Sequence, residues 1–172
     1  MQIQDLLGEA FARTDRDVRG VVQDLDAQTL AYRPDSEANS IAWLVWHTSR
    51  IQDDHVADLA SREQIWSAEG WADRFDLPFS QGDTGFGHTS QQVAAVRPDG
   101  PDLLIGYYEA VSRQTHAYVR TLDTDQLDRI VDERWDPPVS VGVRLISVIH
   151  DGMQHLGQAA YVRGLTDRRP NP

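Results

Sequence analysis

The stretch Val141–Leu165, VGVRLISVIHDGMQHLGQAAYVRGL, decides the fold. It holds two histidines, His150 and His155, five residues apart. Neighbours on one helix face are three or four residues apart, so a histidine pair at five cannot serve one ligand from one face. Stepping about 100° per residue puts His150 about 140° from His155, on the face of Val143, Gln154 and Tyr161. Asp151 is four residues before His155 and about 40° from it, and that face also carries Val148, Ala159 and Val162. The pattern predicts a long helix from near Ser140 to Gly164, with the glycine at the C′ position. A carboxylate and an imidazole sit together on the edge of its apolar stripe. Buried polar groups without partners are costly, so another helix has to supply one.

Working outward, three more long helices are expected. The first runs from about Ile3 to Asp26, with Leu6, Leu7, Ala10, Phe11, Val18, Val21, Val22 and Leu25 as a broken stripe of helical period. Pro34 interrupts the chain, and Asn39 or Ser40 can cap a second helix over Ile41–Ala60. Pro101 suits the first turn of a third, reaching about Leu122. Between Ser61 and Gly100 lies a segment rich in Gly, Pro, Asp and Ser that also carries Trp66, Trp71, Phe75, Phe79 and Phe86. So many aromatics argue for an ordered connection, with a short helix at Ser90–Val96. The expected architecture is all-α, a four-helix bundle with a long crossover between helices 2 and 3, formed as one domain over residues 1–172. Bundles of this type place metal sites on facing helices.

The chain has 172 residues, 27 acidic against 16 basic side chains, a net charge of −11 and no cysteine. The basic residues are all arginine. The negative field disfavours phosphate backbones and anionic membranes as partners. Without cysteine there are no disulfides, thiolate metal ligands or thiol nucleophiles of the chain's own, so any thiol chemistry needs a thiol cosubstrate. No apolar run approaches the roughly 18 residues of a membrane span, and the N-terminus lacks a signal-peptide layout, which leads to the expectation of a cytoplasmic protein.

Of the six histidines, His47 lies between Trp43, Leu44 and Ile51, at the edge of the apolar arc of its helix. Asp54 shares that face but sits about 10 Å further along the axis, and His55 is turned away to the rim. The constellation that emerges is His47 with Asp151 and His155. Two imidazoles and a carboxylate can hold zinc as a Lewis-acid or hydrolytic centre, or form the facial triad of non-haem iron. A surface ion pair and a histidine satisfied within the core are the plainer alternatives.

At these residues the sequence resembles the DinB-like superfamily of metal-binding four-helix bundles, which includes the mycothiol-dependent maleylpyruvate isomerases. The resemblance covers nearly the whole chain and rests on NSIAWLVWHTSRIQDDH (39–55), DTGFGHTS (83–90) and the last helix. The superfamily pattern is one histidine in the second helix, then a histidine or acid followed four residues later by histidine in the last. His47, Asp151 and His155 occupy those positions, with aspartate replacing the commoner histidine at 151. The resemblance implies a divalent metal, zinc first, with nickel, iron and manganese as alternatives. It also implies a mycothiol-type thiol and a small electrophile as substrates of an S-transferase or isomerase. A non-haem-iron or hydrolytic enzyme with the same ligands, and a metal-binding stress or interaction module without catalysis, are the alternatives. Such bundles often pair, so a homodimer is an option.

Around this set, Gln158 is placed to orient His155, and His55 to stand at the rim. Arg144, two turns before Asp151, could clamp a substrate carboxylate or neutralise that aspartate. Trp43, Trp46 and Trp135 could wall a pocket or simply fill the core. Arg50 and Arg163 are expected in surface or interhelical pairs. His88 is either at the site mouth or a plain loop residue, and His116 has no role.

Overall fold

The computed structural model describes residues 2–168 of the chain. In chain order its elements are α1 (Ile3–Val22), α2 (Ala27–Leu30), α3 (Ile41–Leu59), α4 (Ile65–Ala68), α5 (Trp71–Phe75) and α6 (Ser90–Ala95). Then come α7 (Pro101–Val119), α8 (Thr124–Leu127), a hairpin of β1 (Ile130–Asp132) and β2 (Val139–Ser140), and α9 (Val141–Thr166). The four long helices α1, α3, α7 and α9 form the bundle. α3 and α1 each pack on both α7 and α9, and α4, α5 and α6 belong to the crossover between α3 and α7. Among the described residues no helix is long and apolar enough to cross a membrane.

Local chemistry explains the boundaries. Ser40 Oγ accepts from the Trp43 backbone N–H at 3.1 Å, starting α3 where the cap was expected. Pro101 occupies the first turn of α7. The first helix ends four residues early because Asp26 turns its side chain to the Thr29 N–H at 2.7 Å and caps α2 instead. The last helix does not stop at Gly164. It continues to Thr166, with the Arg163 guanidinium donating to the carbonyls of Gly20 and Gln23 at the end of α1. The hairpin was not expected from the sequence, and its first strand brings Asp132 to Arg144 of α9, 3.2 Å away.

α3 is the central helix, buried at every position from Ile41 to Arg50. Around it are two apolar clusters. One gathers Trp43, Trp46, Trp66, Trp71, Leu104 and Tyr107 under the crossover. The other gathers Leu7, Phe11, Val56, Val119, Leu145 and Val148. Three of the crossover's five aromatics, Trp66, Trp71 and Phe75, are buried in the core and Phe79 packs against it, whereas Phe86 is 91% exposed. Trp71 lies flat enough on α7 that a Cβ at Gly106 would stand 2.8 Å from its ring, so only glycine admits it.

Arg50 corrects the sequence expectation of a surface or interhelical pair. Its side chain is fully buried, donating to Gln64 Oε1 at 2.9 Å, Tyr107 Oη at 3.3 Å and the Asp83 carbonyl at 3.2 Å. Asp53 stands beside it at 3.7 Å and accepts from the backbone N–H groups of Ile65 and Trp66, at 2.9 and 2.8 Å. One buried ion pair thus ties the crossover to α3.

Candidate metal centre

His47 from α3 and Asp151 and His155 from α9 converge. One donor atom from each lies within 4.8 Å of the others. Donors about 2.1 Å from one tetrahedral ion stand about 3.4 Å apart, so side chains spread by as much as 4.8 Å would have to draw in by up to roughly 1.4 Å to share an ion. His155 Nε2 is 3.4 Å from Asp151 Oδ1, and the two histidine ring centres are 4.8 Å apart at 74°.

Each imidazole has its distal nitrogen committed. His47 Nδ1–H donates to the Thr84 carbonyl at 2.5 Å, and His155 Nδ1–H donates to Gln158 Oε1 at 3.2 Å. In the neutral rings these bonds put the proton on Nδ1 and leave Nε2 as a lone pair, the arrangement metal-bound histidines use, whereas protonated His155 turns Nε2–H to Asp151 Oδ1 at 3.4 Å. Asp151 supplies the sharpest indication. Its side chain is about one-third exposed, yet Oδ2 is buried and finds no hydrogen-bond partner among the described residues. An orphaned carboxylate oxygen beside two imidazole nitrogens fits a cation.

The electrostatics agree. Burial holds the His47 pKa below its ordinary value, keeping the ring neutral. Burial also pushes Asp151 up, but the hydrogen bond and charge of His155 outweigh it, so the carboxyl titrates below its ordinary value. The hydrogen bond to Asp151 raises His155.

The wall behind His47 is built by the crossover. Trp43 stacks on the His47 ring at 4.7 Å and 12° and donates through Nε1 to His88 Nδ1 at 3.0 Å. His88 Nε2–H in turn donates to Asp83 Oδ1 at 3.0 Å. His88 is therefore an interior brace, away from any mouth. Gly85 is the residue that sequence reasoning missed. It has φ +96°, and a Cβ there would lie 2.7 Å from His47 Nδ1, 3.0 Å from Trp46 and 3.2 Å from Trp43. Its only signal in the sequence is one glycine in DTGFG. Replacing Gly85 by alanine should cost about 1–2 kcal/mol of backbone strain and a further ~1–3 kcal/mol of overpacking against His47. Gly87→Ala, at φ +73° with nothing within 4 Å, should show the strain alone. Thermal unfolding and metal titration of the pair separate the two effects: only Gly85→Ala should weaken metal uptake.

A model of the mycothiol-S-transferase family matches residues 6–168. The chain belongs to the mycothiol-S-transferase family. The chain is also similar to a solved structure, a conserved protein of locus from Enterococcus faecalis, with a TM-score of 0.91 at 28% identity over 98% of this chain and 99% of that one. No curated protein matches.

Within this mycothiol-S-transferase fold, the other expected site residues divide. Gln158 and Trp43 touch the ligand set. Arg144 does not neutralise Asp151: it donates to His55 Nδ1 at 3.1 Å and Asp132 Oδ2 at 3.2 Å, because the hairpin offers a nearer carboxylate. His55, half-buried, stands with it two turns along α3 from His47, where burial and then the Arg144 charge lower its pKa. Trp46 is core, whereas Trp135 is 65% exposed on the hairpin. His116 does have partners. Its Nε2 meets Asp15, which also accepts from Tyr108 and Ser112, so the cluster ties α7 to α1. His150 is exposed, away from the group.

Proposed function

We propose that this chain is a divalent-metal-dependent thiol S-transferase that joins a mycothiol-type thiol to a small electrophile. The observation that carries the reading is the convergence of His47, Asp151 and His155, with Asp151 Oδ2 buried and unpartnered among the described residues, in a chain without cysteine. His47, Asp151 and His155 would hold the ion. Bound there, a divalent cation lowers the pKa of a coordinated thiol and favours the thiolate at neutral pH. Nitrogen and carboxylate donors suit zinc first, with nickel, iron and manganese also compatible.

The chain's own residues prepare the site. The Thr84 carbonyl and Gln158 hold the two imidazoles in the productive tautomer, Asp151 contributes one negative charge, and Trp43 seals the back of His47. In the transfer the S–H proton passes to solvent and a sulfur electron pair forms the new S–C bond. The leaving group departs with the electrons of the bond it breaks, or, for an activated double bond, the adjacent carbon gains a proton.

Turnover of monochlorobimane with and without mycothiol tests the reading. Thiol-dependent turnover that a chelator abolishes supports it; no stimulation by the thiol removes the transferase assignment. Gln158→Ala should weaken metal affinity by ~10-fold, the lower end for loss of a group orienting a ligand. Gln158→Glu should preserve it. Competition with a chromophoric chelator reads both, and an unchanged affinity in Gln158→Ala would deny the orienting role.

A further inference from the structure

Two cavities open at opposite ends of the α3–α9 contact, with the His47/Asp151/His155 group between them. The cavity toward the end of α3, about 460 Å³, is lined by charged and polar chains, among them Arg62, Arg134, Arg144, Asp54 and Asp58. The other, about 670 Å³, lies where the chain from Pro34 to Asn39 faces the second half of α9. Leu44, Val162, Tyr161 and Pro34 give it an apolar wall. Its size falls within the range of small-molecule sites, roughly 300–1,000 Å³.

This second cavity comes within one side chain of the metal group, whose three members do not line it. Gln158 lines it and holds His155 by the hydrogen bond already described. Leu44, also in the wall, is one turn of α3 before His47. The Tyr161 side chain is 67% exposed there, an aromatic surface presented to a hollow. The far wall is held in shape: Arg33 donates to the carbonyls of Ala38 at 2.5 Å and Ser90 at 3.0 Å, and Asp35 accepts from the N–H groups of Glu37 and Ala38. A fixed, largely apolar hollow suits an apolar ligand bound without reorganisation. Its lining also includes Asp35 and Glu37 and, among the described residues, no arginine, the Arg33 guanidinium being turned to the backbone carbonyls of the 36–38 segment.

We propose that this cavity is the subsite for the electrophile, and that it selects an apolar electrophile that is uncharged or cationic. The proposal rests on the transferase reading, which requires a second substrate beside the thiol. The charged cavity at the other end is chemically unsuited to an apolar group, whereas the one bordered by Gln158 brings such a group to within one side chain of His155. Carboxylates at its edge repel an anionic ligand through a partly wet medium, worth on the order of tenfold in affinity at low salt.

Equilibrium dialysis of the metal-loaded chain against 2-naphthylmethanol and its anionic counterpart 2-naphthoate tests this. Saturable binding of the alcohol, at least about tenfold tighter than the carboxylate at low ionic strength, is expected. Glu37→Lys should narrow that gap, and the same gap should shrink at high salt. Gly157, exposed on α9 with nothing within 4 Å of a Cβ, permits a plug. Gly157→Leu raises helix propensity while filling the cavity, so weakened binding there is not a folding defect. A fivefold or greater loss of alcohol binding in Gly157→Leu, echoed by Tyr161→Ala, supports the site. No saturable binding, equal binding of the two probes, or binding untouched by both variants overturns it. Thiol-dependent turnover with an unchanged electrophile KM in Gly157→Leu would discard the cavity and keep the transferase. Plug-sensitive binding without thiol-dependent turnover would keep the apolar site and discard the transferase.

Discussion

Replacing His155 by alanine should lower metal affinity by at least about 100-fold, more than the 10–100-fold typical of losing a group that merely orients a ligand. The reasoning starts from the donor count. Three protein atoms converge, and removing one leaves His47 and Asp151 on different helices with no third His, Asp or Glu grouped with them among the described residues. The His155 side chain is 19% exposed at the edge of the core, so its loss opens no large cavity and the fold should persist. His150→Ala is the matched control, being an exposed histidine five residues earlier in the same helix. Competition titration should find its affinity unchanged. Metal retained by His155→Ala, or lost equally from His150→Ala, would discard the ligand assignment.

Arg50→Met should destabilise the fold by about 3–5 kcal/mol, the usual cost of removing one partner of a buried ion pair. Arg50 is fully buried, and its guanidinium serves Gln64, Tyr107 and the Asp83 carbonyl while facing Asp53. Without it, Asp53 is left 2% exposed with neutral donors only. Burial already pushes the Asp53 pKa up, and without the Arg50 charge only the neutral donors of Ile65, Trp66 and Tyr107 oppose that rise. In a chain of this length such a loss should lower Tm by roughly 10 °C. Adding Asp53→Asn to Arg50→Met removes the uncompensated charge and should restore part of the loss, a coupling that a double-mutant cycle reads directly. Additive effects would mean the pair is not a unit. Arg50 also holds the strand of crossover leading to Thr84, so metal affinity should fall along with stability.

The features legible in the sequence were those written at helical spacing. The angular separation of His150 from Asp151 and His155 follows from the helix repeat alone, and the structure places His150 outside and the other two beside His47. Ser40 and Pro101 marked helix starts because their side chains satisfy or remove end donors. The aromatics between Trp66 and Phe79 signalled order because exposed rings at that density are unfavourable.

What was hidden depends on contacts between distant segments. Arg50 looks like a surface charge until Gln64, Asp83 and Tyr107 arrive from 14 to 57 residues away. Arg144 lies on the Asp151 side of its helix, but Asp132, on a strand of three residues too short to show a period, takes its guanidinium. Gly85 carries no pattern, and its necessity appears only when His47 Nδ1 is found 2.7 Å from where a Cβ would stand. Gly164 marked no helix end because Arg163 binds that last turn onto α1.

The central claim is that His47, Asp151 and His155 hold a metal that takes the sulfur of a thiol cosubstrate. X-ray absorption at the metal edge of the zinc-loaded chain, recorded with and without mycothiol, tests it most directly. The chain has no cysteine, so it has no thiolate of its own to offer the metal. Alone, the protein should show only nitrogen and oxygen scatterers at about 2.0–2.2 Å, and added mycothiol should bring in one sulfur at about 2.3 Å. A nitrogen and oxygen shell that stays unchanged at saturating mycothiol would contradict the account.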